Sequence, residues 1–162
     1  MAEINIDFAA VSRVASRIEL KDIRLTEVQA KSNPSVSGTL EPCFNHDCKV
    51  LSHEPNALRV ACHYRFEVHV TETPVLEADT TYLLTYEIHG GEALAENDLS
   101  QFAFANGTLH TWPFAREFVH SLTSRMGYPP YTLPVFHFVS VPPDKKVVEE
   151  ETKPSAELTS SE

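Results

Sequence analysis

The segment LRVACHYRFEVHV, residues 58–70, alternates between apolar and mostly polar side chains along its length. Leucine, valine, cysteine, tyrosine and phenylalanine fall on even positions, whereas arginine, histidine and glutamate fall between them. A period of two is typical of a strand with one buried face and one solvated face, and such strands belong to antiparallel sheets. The segment therefore predicts a long antiparallel strand from Leu58 to Val70.

Three further segments carry strand patterns, and the first of them changes phase. Its apolar positions move from even to odd and back to even: Ile18, Leu20, Ile23, Leu25, Val28 and Ala30. Because a strand changes its buried face only at a bulge or bend, residues 18–30 predict one long strand with one or two bulges. Residues 36–44 predict a second strand, with Pro42 at a sheet edge or bulge, and residues 80–89 predict a fourth.

Helical patterns occur before the first strand and after the last. Asp7 is a candidate N-cap for a short first helix. Residues 96–104 predict another short helix, which Asn106-Gly107 interrupts. The main helix begins between Gly107 and Pro113: with Thr111 as its N-cap, Pro113 sits in the first turn, whereas an earlier start makes Pro113 a kink. This order of elements predicts an α+β fold, a four-stranded antiparallel sheet with helices packed on one face.

The 162 residues predict one folded domain followed by a polar tail. Residues 1–143 are the predicted domain, and a last apolar alternation at residues 136–141, closed by Pro142 and Pro143, is compatible with an extra strand. Residues 144–162 are acidic and rich in serine and threonine, a composition that predicts a disordered tail.

Charge and hydropathy exclude several classes of protein. The formal net charge is −10, which argues against nucleic-acid binding because phosphate contacts need clustered lysine and arginine. No apolar run approaches the length needed to span a bilayer, and the acidic start lacks the basic region of a signal peptide. With three cysteines, the pattern predicts a cytoplasmic protein with reduced thiols.

The side chains that could perform chemistry do not form a convincing centre. One cluster contains zinc-ligand types, namely Cys43, His46 and Cys48, but its spacing is irregular, and a loop or strand end without metal is favoured. Glu117 and His120 share a helix face without a nucleophile or a second orienting group. The sequence therefore predicts no enzymatic activity, no metal and no other cofactor.

The segment TWPFAREFVHSLTSRMGYPPYTLP, residues 111–134, combines an amphipathic helix with an aromatic exit loop. One apolar stripe recurs at helical spacing: Ala115, Phe118, Val119, Leu122 and Met126. Gly127 ends the helix, and the prolines after it prevent its continuation. The aromatic side chains at the two ends either pack the helix on the sheet, form an oligomer contact or bind an apolar partner.

This segment resembles the helix and following loop of SecB and the SecB-like chaperones. The resemblance is carried by Trp-Pro-Phe-Ala-Arg-Glu at residues 112–117, Ser-Arg-Met-Gly at 124–127 and Leu-Pro at 133–134, and it extends more loosely over residues 18–135. It implies an ATP-independent chaperone without cofactor, a dimer of dimers that holds unfolded polypeptides in apolar grooves. The client-binding residues that it implies are Tyr82, Trp112, Phe114, Tyr128, Tyr131 and Leu133.

The resemblance leaves the partner open. In export-type SecB, acidic side chains on the first and fourth strands dock the SecA motor. On the first strand, Asp22 matches one such position, whereas Thr26 stands at the next acidic position. On the fourth strand, Tyr86 stands at the acidic position, and Glu87 lies next to it. The variants in the helix are similar to those of the SecB-like branch, some members of which protect an antitoxin. The clients are therefore either exported proteins in general or one antitoxin. Two other classes remain as alternatives: an adaptor with a single partner, and a small-molecule-binding or enzymatic domain, which would need a closed polar pocket.

Overall fold

The computed structural model describes residues 6–136. These residues form helices and strands in the order α1 (Phe8–Ala15), β1 (Ile18–Ser32), β2 (Leu40–Glu54), β3 (Ala57–Val70), β4 (Thr73–Ile88) and α2 (Glu96–Arg125). The strands make one antiparallel four-stranded sheet with the order β1-β4-β3-β2, so β1 and β2 are its edges. Because α2 packs on β2 and β3 while α1 packs against α2, the predicted α+β fold is confirmed.

β3 lies at the centre of the core, as its alternation predicts. Its even-numbered side chains from Leu58 to Val70 are all buried, whereas Arg59, His63 and Arg65 are exposed on the opposite face. The even-numbered side chains of β4 from Leu76 to Ile88 are buried in the same way. We call this side of the sheet the inner face and the other side the outer face. Each fully buried aliphatic side chain of this size stabilises the fold by about 1.5–3 kcal/mol relative to its exposed state.

Two register shifts in β1 explain the slips in its apolar phase. The pairing with β4 shifts between Leu20 and Asp22 and again between Leu25 and Glu27. Each extra residue turns the following side chains over, so the apolar residues before, between and after the bulges all face the same way. They pair with inner-face residues of β4; Leu25, for example, lies opposite Tyr82. The prediction of one strand with one or two bulges is confirmed.

Two strand boundaries differ from those predicted. β2 spans Leu40–Glu54 rather than residues 36–44, and β4 begins at Thr73 rather than at residue 80. The reason for the longer β4 is a tight hairpin after β3, where Thr71 adopts a positive φ of 57°. Pro74 pairs with His69 next to a register shift, where the missing proline N–H is tolerated. Pro42 lies on the edge strand β2, as predicted.

α2 is one continuous helix, so the predicted break at Asn106-Gly107 and the predicted start between Gly107 and Pro113 are both wrong, and of the two open alternatives Thr111 is not the N-cap. Pro113 lies inside the helix. Thr111 is buried, and its hydroxyl donates to the carbonyl oxygen of Gly107 at 2.6 Å. A β-carbon at Gly107 would lie 2.8 Å from Sγ of Cys62. The glycine therefore marks a close approach of helix and sheet rather than a turn.

α1 begins at the predicted N-cap and is fastened to α2. The Asp7 carboxylate accepts hydrogen bonds from the backbone N–H groups of Ala9 and Ala10 at 2.9 and 3.1 Å. The Arg13 guanidinium donates to both carboxylate oxygens of Asp98, at 2.7 and 2.8 Å, which joins α1 to the first turn of α2. In the part of the chain that the structure describes, no helix is long and apolar enough to cross a membrane.

Two sequence predictions lie outside the described residues. The extra strand predicted at residues 136–141 lies beyond the end of the described range, except for Phe136. The acidic tail predicted at residues 144–162 lies entirely beyond it, as does the predicted domain boundary after residue 143.

Candidate functional site

Aromatic side chains from α2, β2, β3 and the chain after α2 form one cluster on the inner face. Trp112 is only 8% exposed, and the ring centroids of Phe136 and Phe44 lie 5.0 and 5.2 Å from its own. His46 stacks on Tyr64, with ring centroids 5.6 Å apart and 9° between the ring planes. Rings packed in this way bury a large apolar area, so the cluster holds α2 on the sheet.

His46 is a structural member of this cluster. Burial lowers the pKa of its imidazole, and the neighbouring Asp47 carboxylate opposes that effect only in part. Its Nε2 atom lies 3.1 Å from Oγ1 of Thr108 on α2. This hydrogen bond satisfies a ring nitrogen that would otherwise be unpaired among aromatic side chains. His46 therefore links β2 to α2 as a neutral ring at neutral pH.

Two tyrosine hydroxyls of the sheet bond to polar side chains of α2. The Tyr64 hydroxyl pairs with Thr111 Oγ1 at 2.5 Å, and the Tyr86 hydroxyl pairs with Nδ1 of His110 at 3.0 Å. Burial raises the pKa of both tyrosines, so both hydroxyls keep their protons. These contacts fix α2 on the sheet through its polar residues and do not use its exposed apolar side chains.

The chain after α2 turns back along the helix; we call residues 131–136 the strap. Arg116 Nε donates to the Leu133 carbonyl oxygen at 2.8 Å, and Trp112 Nε1 donates to the Pro134 carbonyl oxygen at 3.2 Å. The Leu133 side chain is fully buried. The strap is therefore held to α2 both by its backbone and by an apolar side chain.

One apolar surface of the inner face stays exposed. Leu25 and Val28 of β1 are 45% and 49% exposed, and Phe114 of α2 is 49% exposed. Leu25 pairs in register with Tyr82, and the ring centroids of Tyr82 and Phe114 are 6.2 Å apart. We call these four residues the apolar patch, because Tyr82 connects the exposed side chains of the strand and the helix. Exposed apolar side chains grouped in this way make the patch a candidate interaction site.

The zinc-ligand types on β2 do not converge. Cys43 is exposed on the outer face, whereas His46 and Cys48 lie on the inner face. Cys48 lies directly opposite Cys62 of β3, and the two form a disulfide with Cα atoms 4.1 Å apart. The expectation of reduced thiols is wrong for this pair, because the strand register brings their sulfur atoms together.

Among the described residues, one exposed group could share a cation: Glu19, Glu87 and His89. The Lys21 ammonium lies 2.9 Å from carboxylate oxygens of both Glu19 and Glu87. The lysine already pairs with both carboxylates, so the group behaves as a surface ion-pair cluster.

No family model matches the chain. Its fold is similar to a solved structure, the Mycobacterium tuberculosis SecB-like chaperone Rv1957 in complex with a ChAD peptide from the Rv1956 HigA1 antitoxin. The TM-score is 0.70 at 27% sequence identity, and the alignment covers 79% of this chain and 97% of that chain. Two curated relatives from M. tuberculosis are SecB-like chaperone MT2006 of strain CDC 1551 / Oshkosh and SecB-like chaperone Rv1957 of strain H37Rv. Each is 29% identical over 76% of this chain and 80% of its own length.

The predicted resemblance to the SecB-like chaperones is confirmed in sequence and in fold.

The residues predicted to bind clients differ in exposure. Phe114 is exposed in the apolar patch, and Tyr82 beside it is 4% exposed. Burial, assisted by the Glu117 carboxylate, raises the pKa of Tyr82 to about 12. Trp112 and Leu133 are buried, and both contact or belong to the strap. Of these four residues, only Phe114 is therefore exposed enough for direct contact with a partner.

Tyr128 and Tyr131 fasten the chain after α2 to the sheet. The Tyr128 hydroxyl donates to the Val75 carbonyl oxygen at 2.7 Å. The Tyr131 ring stacks on Phe66, with ring centroids 5.6 Å apart and 23° between their planes. Both tyrosines are half-buried. Their role in client binding stays a prediction.

The sequence did not predict Leu25 and Val28 as exposed surface residues. The slip in apolar phase was the available signal, because it indicates that the whole of β1 keeps its apolar side chains on one face. Their exposure could not be read from that signal, since it depends on where α2 lies. α2 packs on the inner face over β2 and β3, which lie toward the opposite edge of the sheet from β1.

Asp22 and Glu87, the predicted motor-docking residues, lie on the outer face of neighbouring strands. Asp22 forms an ion pair with Arg24, and Glu87 forms one with Lys21 at 2.9 Å. Tyr86 is 1% exposed on the inner face. The side chain of Tyr86 therefore takes no part in the outer surface. Of the two neighbouring β4 residues Tyr86 and Glu87, only Glu87 faces a partner that docks on the outer face. A docking role for Asp22 and Glu87 stays a prediction.

Proposed function

We propose that this SecB-like protein is an ATP-independent chaperone that holds unfolded polypeptide segments on the apolar patch. The observation that carries the proposal is the exposure of Leu25 and Val28 on β1 and of Phe114 on α2, with Tyr82 between the strand and the helix. Unfolded chains expose apolar side chains, and burying these against the patch is favourable without any defined client sequence. The net charge of −10 keeps a protein with such a surface soluble.

The edge strand β1 offers a second, backbone component of client binding. Within the described residues, β1 pairs with β4 along one side, and the sheet order leaves its other side at the edge. An extended client segment can therefore add a strand there while its apolar side chains reach Leu25 and Val28. Main-chain hydrogen bonds do not depend on client sequence, so this mode suits a holder of many clients.

The proposal includes an assembly and a compartment. A dimer of dimers in the cytoplasm would cover part of the exposed apolar surface, which includes Leu109 at 61% exposure on α2. The Cys48–Cys62 disulfide is compatible with a reducing compartment because the two residues are 5% and 0% exposed, out of reach of soluble reductants. The mechanism needs no nucleotide, metal or catalytic group.

A role in export would use the outer face. The carboxylates of Asp22 and Glu87 lie on adjacent strands and are partly exposed, at 40% and 47%. A basic segment of the SecA motor would find two neighbouring acids there, at the cost of displacing Arg24 and Lys21. Docking of the motor through this surface is the export form of the proposal.

A dedicated antitoxin chaperone is the second candidate function. It is favoured by one observation: the M. tuberculosis structure with TM-score 0.70 contains an antitoxin peptide. In this form the apolar patch would hold one recurring client, the exposed segment of an antitoxin, instead of many. A single-partner adaptor would differ from both, because it would not protect unrelated unfolded proteins.

Light scattering of chemically unfolded proteins tests the proposal. Several unrelated proteins are diluted from denaturant in the presence of stoichiometric SecB-like protein without ATP. A general chaperone suppresses the aggregation of most of them, whereas a dedicated chaperone or adaptor protects none except its partner. Sizing in solution is the companion measurement, since a strict monomer would contradict the proposed assembly.

A further inference from the structure

One stripe of α2 holds the strap from end to end. The stripe consists of side chains four, four and three residues apart, Trp112, Arg116, His120 and Thr123. They contact strap residues in the reverse order, namely Pro134, Leu133, Thr132 and Tyr131. The strap therefore runs antiparallel to α2, with each successive residue bonded to the next turn of the helix.

Most of these hydrogen bonds use the backbone of the strap. Trp112 and Arg116 donate to two consecutive carbonyl oxygens, at 3.2 and 2.8 Å. The Tyr131 N–H group donates to Thr123 Oγ1 at 3.0 Å. Only the contact of His120 Nδ1 with the Thr132 hydroxyl, at 3.0 Å, involves a strap side chain. Any extended polypeptide presents the same carbonyl and N–H groups, so the stripe is not specific for the strap sequence.

The side chains of the strap contribute apolar contacts. Leu133 is 0% exposed, and Phe136 lies against Trp112 with ring centroids 5.0 Å apart. Tyr131 stacks on Phe66 of the sheet. An extended segment with one buried leucine and flanking aromatic residues has the same composition as the apolar stretches that unfolded proteins expose.

Three contacts between α2 and the sheet involve no strap residue. Tyr64 bonds to Thr111, Tyr86 bonds to His110, and Gly107 allows α2 to approach Cys62 closely. These contacts hold the stripe in place when the strap leaves. Opening the strap would therefore expose a formed cradle rather than unfold the domain.

We propose that the strap is a built-in occupant of a second client-binding cradle on α2, and that an extended client segment with a leucine-sized or aromatic side chain displaces it. The inference rests on the proposed chaperone function and assigns it a regulated site. A client binds only to molecules in which the strap is open. Its apparent affinity is therefore the intrinsic affinity multiplied by the fraction of open molecules. Clients with weak apolar segments fail to displace the strap, so the strap sets a threshold for holding.

The test uses a fluorescein-labelled peptide with the sequence YTLPVF, residues 131–136, blocked at both ends, and the full-length protein. Leu133→Ala loosens the strap, and we expect it to bind the peptide about tenfold more tightly than the unaltered protein. Pro134→Gly acts outside the core, by giving the open strap more conformational freedom, and we expect about threefold tighter binding. Val135→Ala is the matched control: Val135 is 62% exposed in the same strap, and its removal leaves the affinity unchanged.

Trp112 reports the displacement directly because it is the only tryptophan of the chain. A bound peptide that displaces the strap moves Phe136 and the Pro134 carbonyl away from the indole, so we expect its emission to change on binding. Equal peptide affinity in all four proteins, weaker binding by Leu133→Ala, or binding without a change in Trp112 emission would overturn the inference. If aggregation is still suppressed in that case, the chaperone function stands and only the strap mechanism fails; loss of suppression by the unaltered protein rejects the function itself.

Discussion

Gly107 of α2 lies against Cys62 of β3 so closely that a β-carbon at Gly107 would be 2.8 Å from the cysteine Sγ atom. The same β-carbon would lie 3.3 Å from the Cys48 β-carbon and 3.3 Å from a Val60 methyl group. The neighbours are buried core atoms, which cannot move aside without disturbing the sheet. The distance between helix and sheet is therefore set by the absence of a side chain at one position.

Gly107→Ala should destabilise the protein in spite of alanine's higher helix propensity. Alanine in a helix gains about 1 kcal/mol over glycine, whereas overpacking of a core costs about 1–3 kcal/mol. The difference is about 0–2 kcal/mol, and because the contact of 2.8 Å is closer than real β-carbons allow, we expect a net loss of about 1–2 kcal/mol in the free energy of unfolding, measured by urea denaturation. The control is Gly91→Ala, since nothing lies within 4 Å of a β-carbon there. An unchanged or raised stability of Gly107→Ala would contradict the close contact.

Thr111→Val should leave the Tyr64 hydroxyl without its partner on α2. Both residues are buried, and their oxygens are 2.5 Å apart. An unpaired buried polar group costs about 1–3 kcal/mol, so thermal unfolding should shift to lower temperature. The double variant with Tyr64→Phe should recover part of the loss, because both polar groups are then absent. Two additive losses would show that this hydrogen bond does not couple the two residues.

The burial of His46 should make stability depend on pH. Its pKa is lowered in the folded state, so the unfolded chain binds the proton more readily. The stabilisation is therefore complete above the unfolded pKa of about 6.5 and is lost as the pH falls through the lowered folded value. His110, whose pKa is also lowered by burial, contributes in the same direction. Melting curves between pH 7.5 and 5 should show this loss.

The contribution of His46 is isolated by comparison with His46→Gln. The variant should be less stable at pH 7.5, and its stability should fall less between pH 7.5 and 5 than that of the unaltered protein. Equal pH dependence in both proteins would show that His46 is not responsible.

Thiol titration checks the pairing of the three cysteines. Cys43 is free and exposed, whereas Cys48 and Cys62 are joined. Protein purified without reductant should show one reactive thiol per chain both folded and in denaturant, and three only after reduction in denaturant. Three reactive thiols in denaturant without reductant would show that the pair is reduced in the purified protein.

Regular patterns of the sequence predicted most of the sheet. The alternation of β3 and the slipping phase of β1 depend only on which residues share a face, and burial follows from that. The helix break predicted at Asn106-Gly107 was wrong because the same dipeptide occurs in turns and at close contacts between a helix and a sheet. Only the packing of the folded chain distinguishes the two. The predicted ends of β2 were wrong for a similar reason, because pairing with β3 extends the strand well beyond the residues that carry an alternating pattern.

The candidate site was less predictable than the fold. The aromatic ends of the main helix were recognised, but Trp112 is buried and Phe114 exposed, although both are aromatic and two residues apart. Their exposure depends on where the strap and α2 lie, which no local pattern encodes. Leu25 and Val28 became candidates only once the sheet order put β1 at an edge.

Holding of unfolded polypeptides by the apolar patch is tested most directly by one comparison of exposed apolar residues. Val28, 49% exposed, lies in the patch on β1, and Leu51, 61% exposed, lies on the opposite edge strand β2. Each is replaced by serine, and suppression of aggregation of a chemically unfolded protein is titrated by light scattering. We expect Val28→Ser to need several times more protein than the unaltered chain for half suppression, and Leu51→Ser to need the same amount. Equal suppression by all three proteins, or a loss confined to Leu51→Ser, would contradict a client site at the apolar patch.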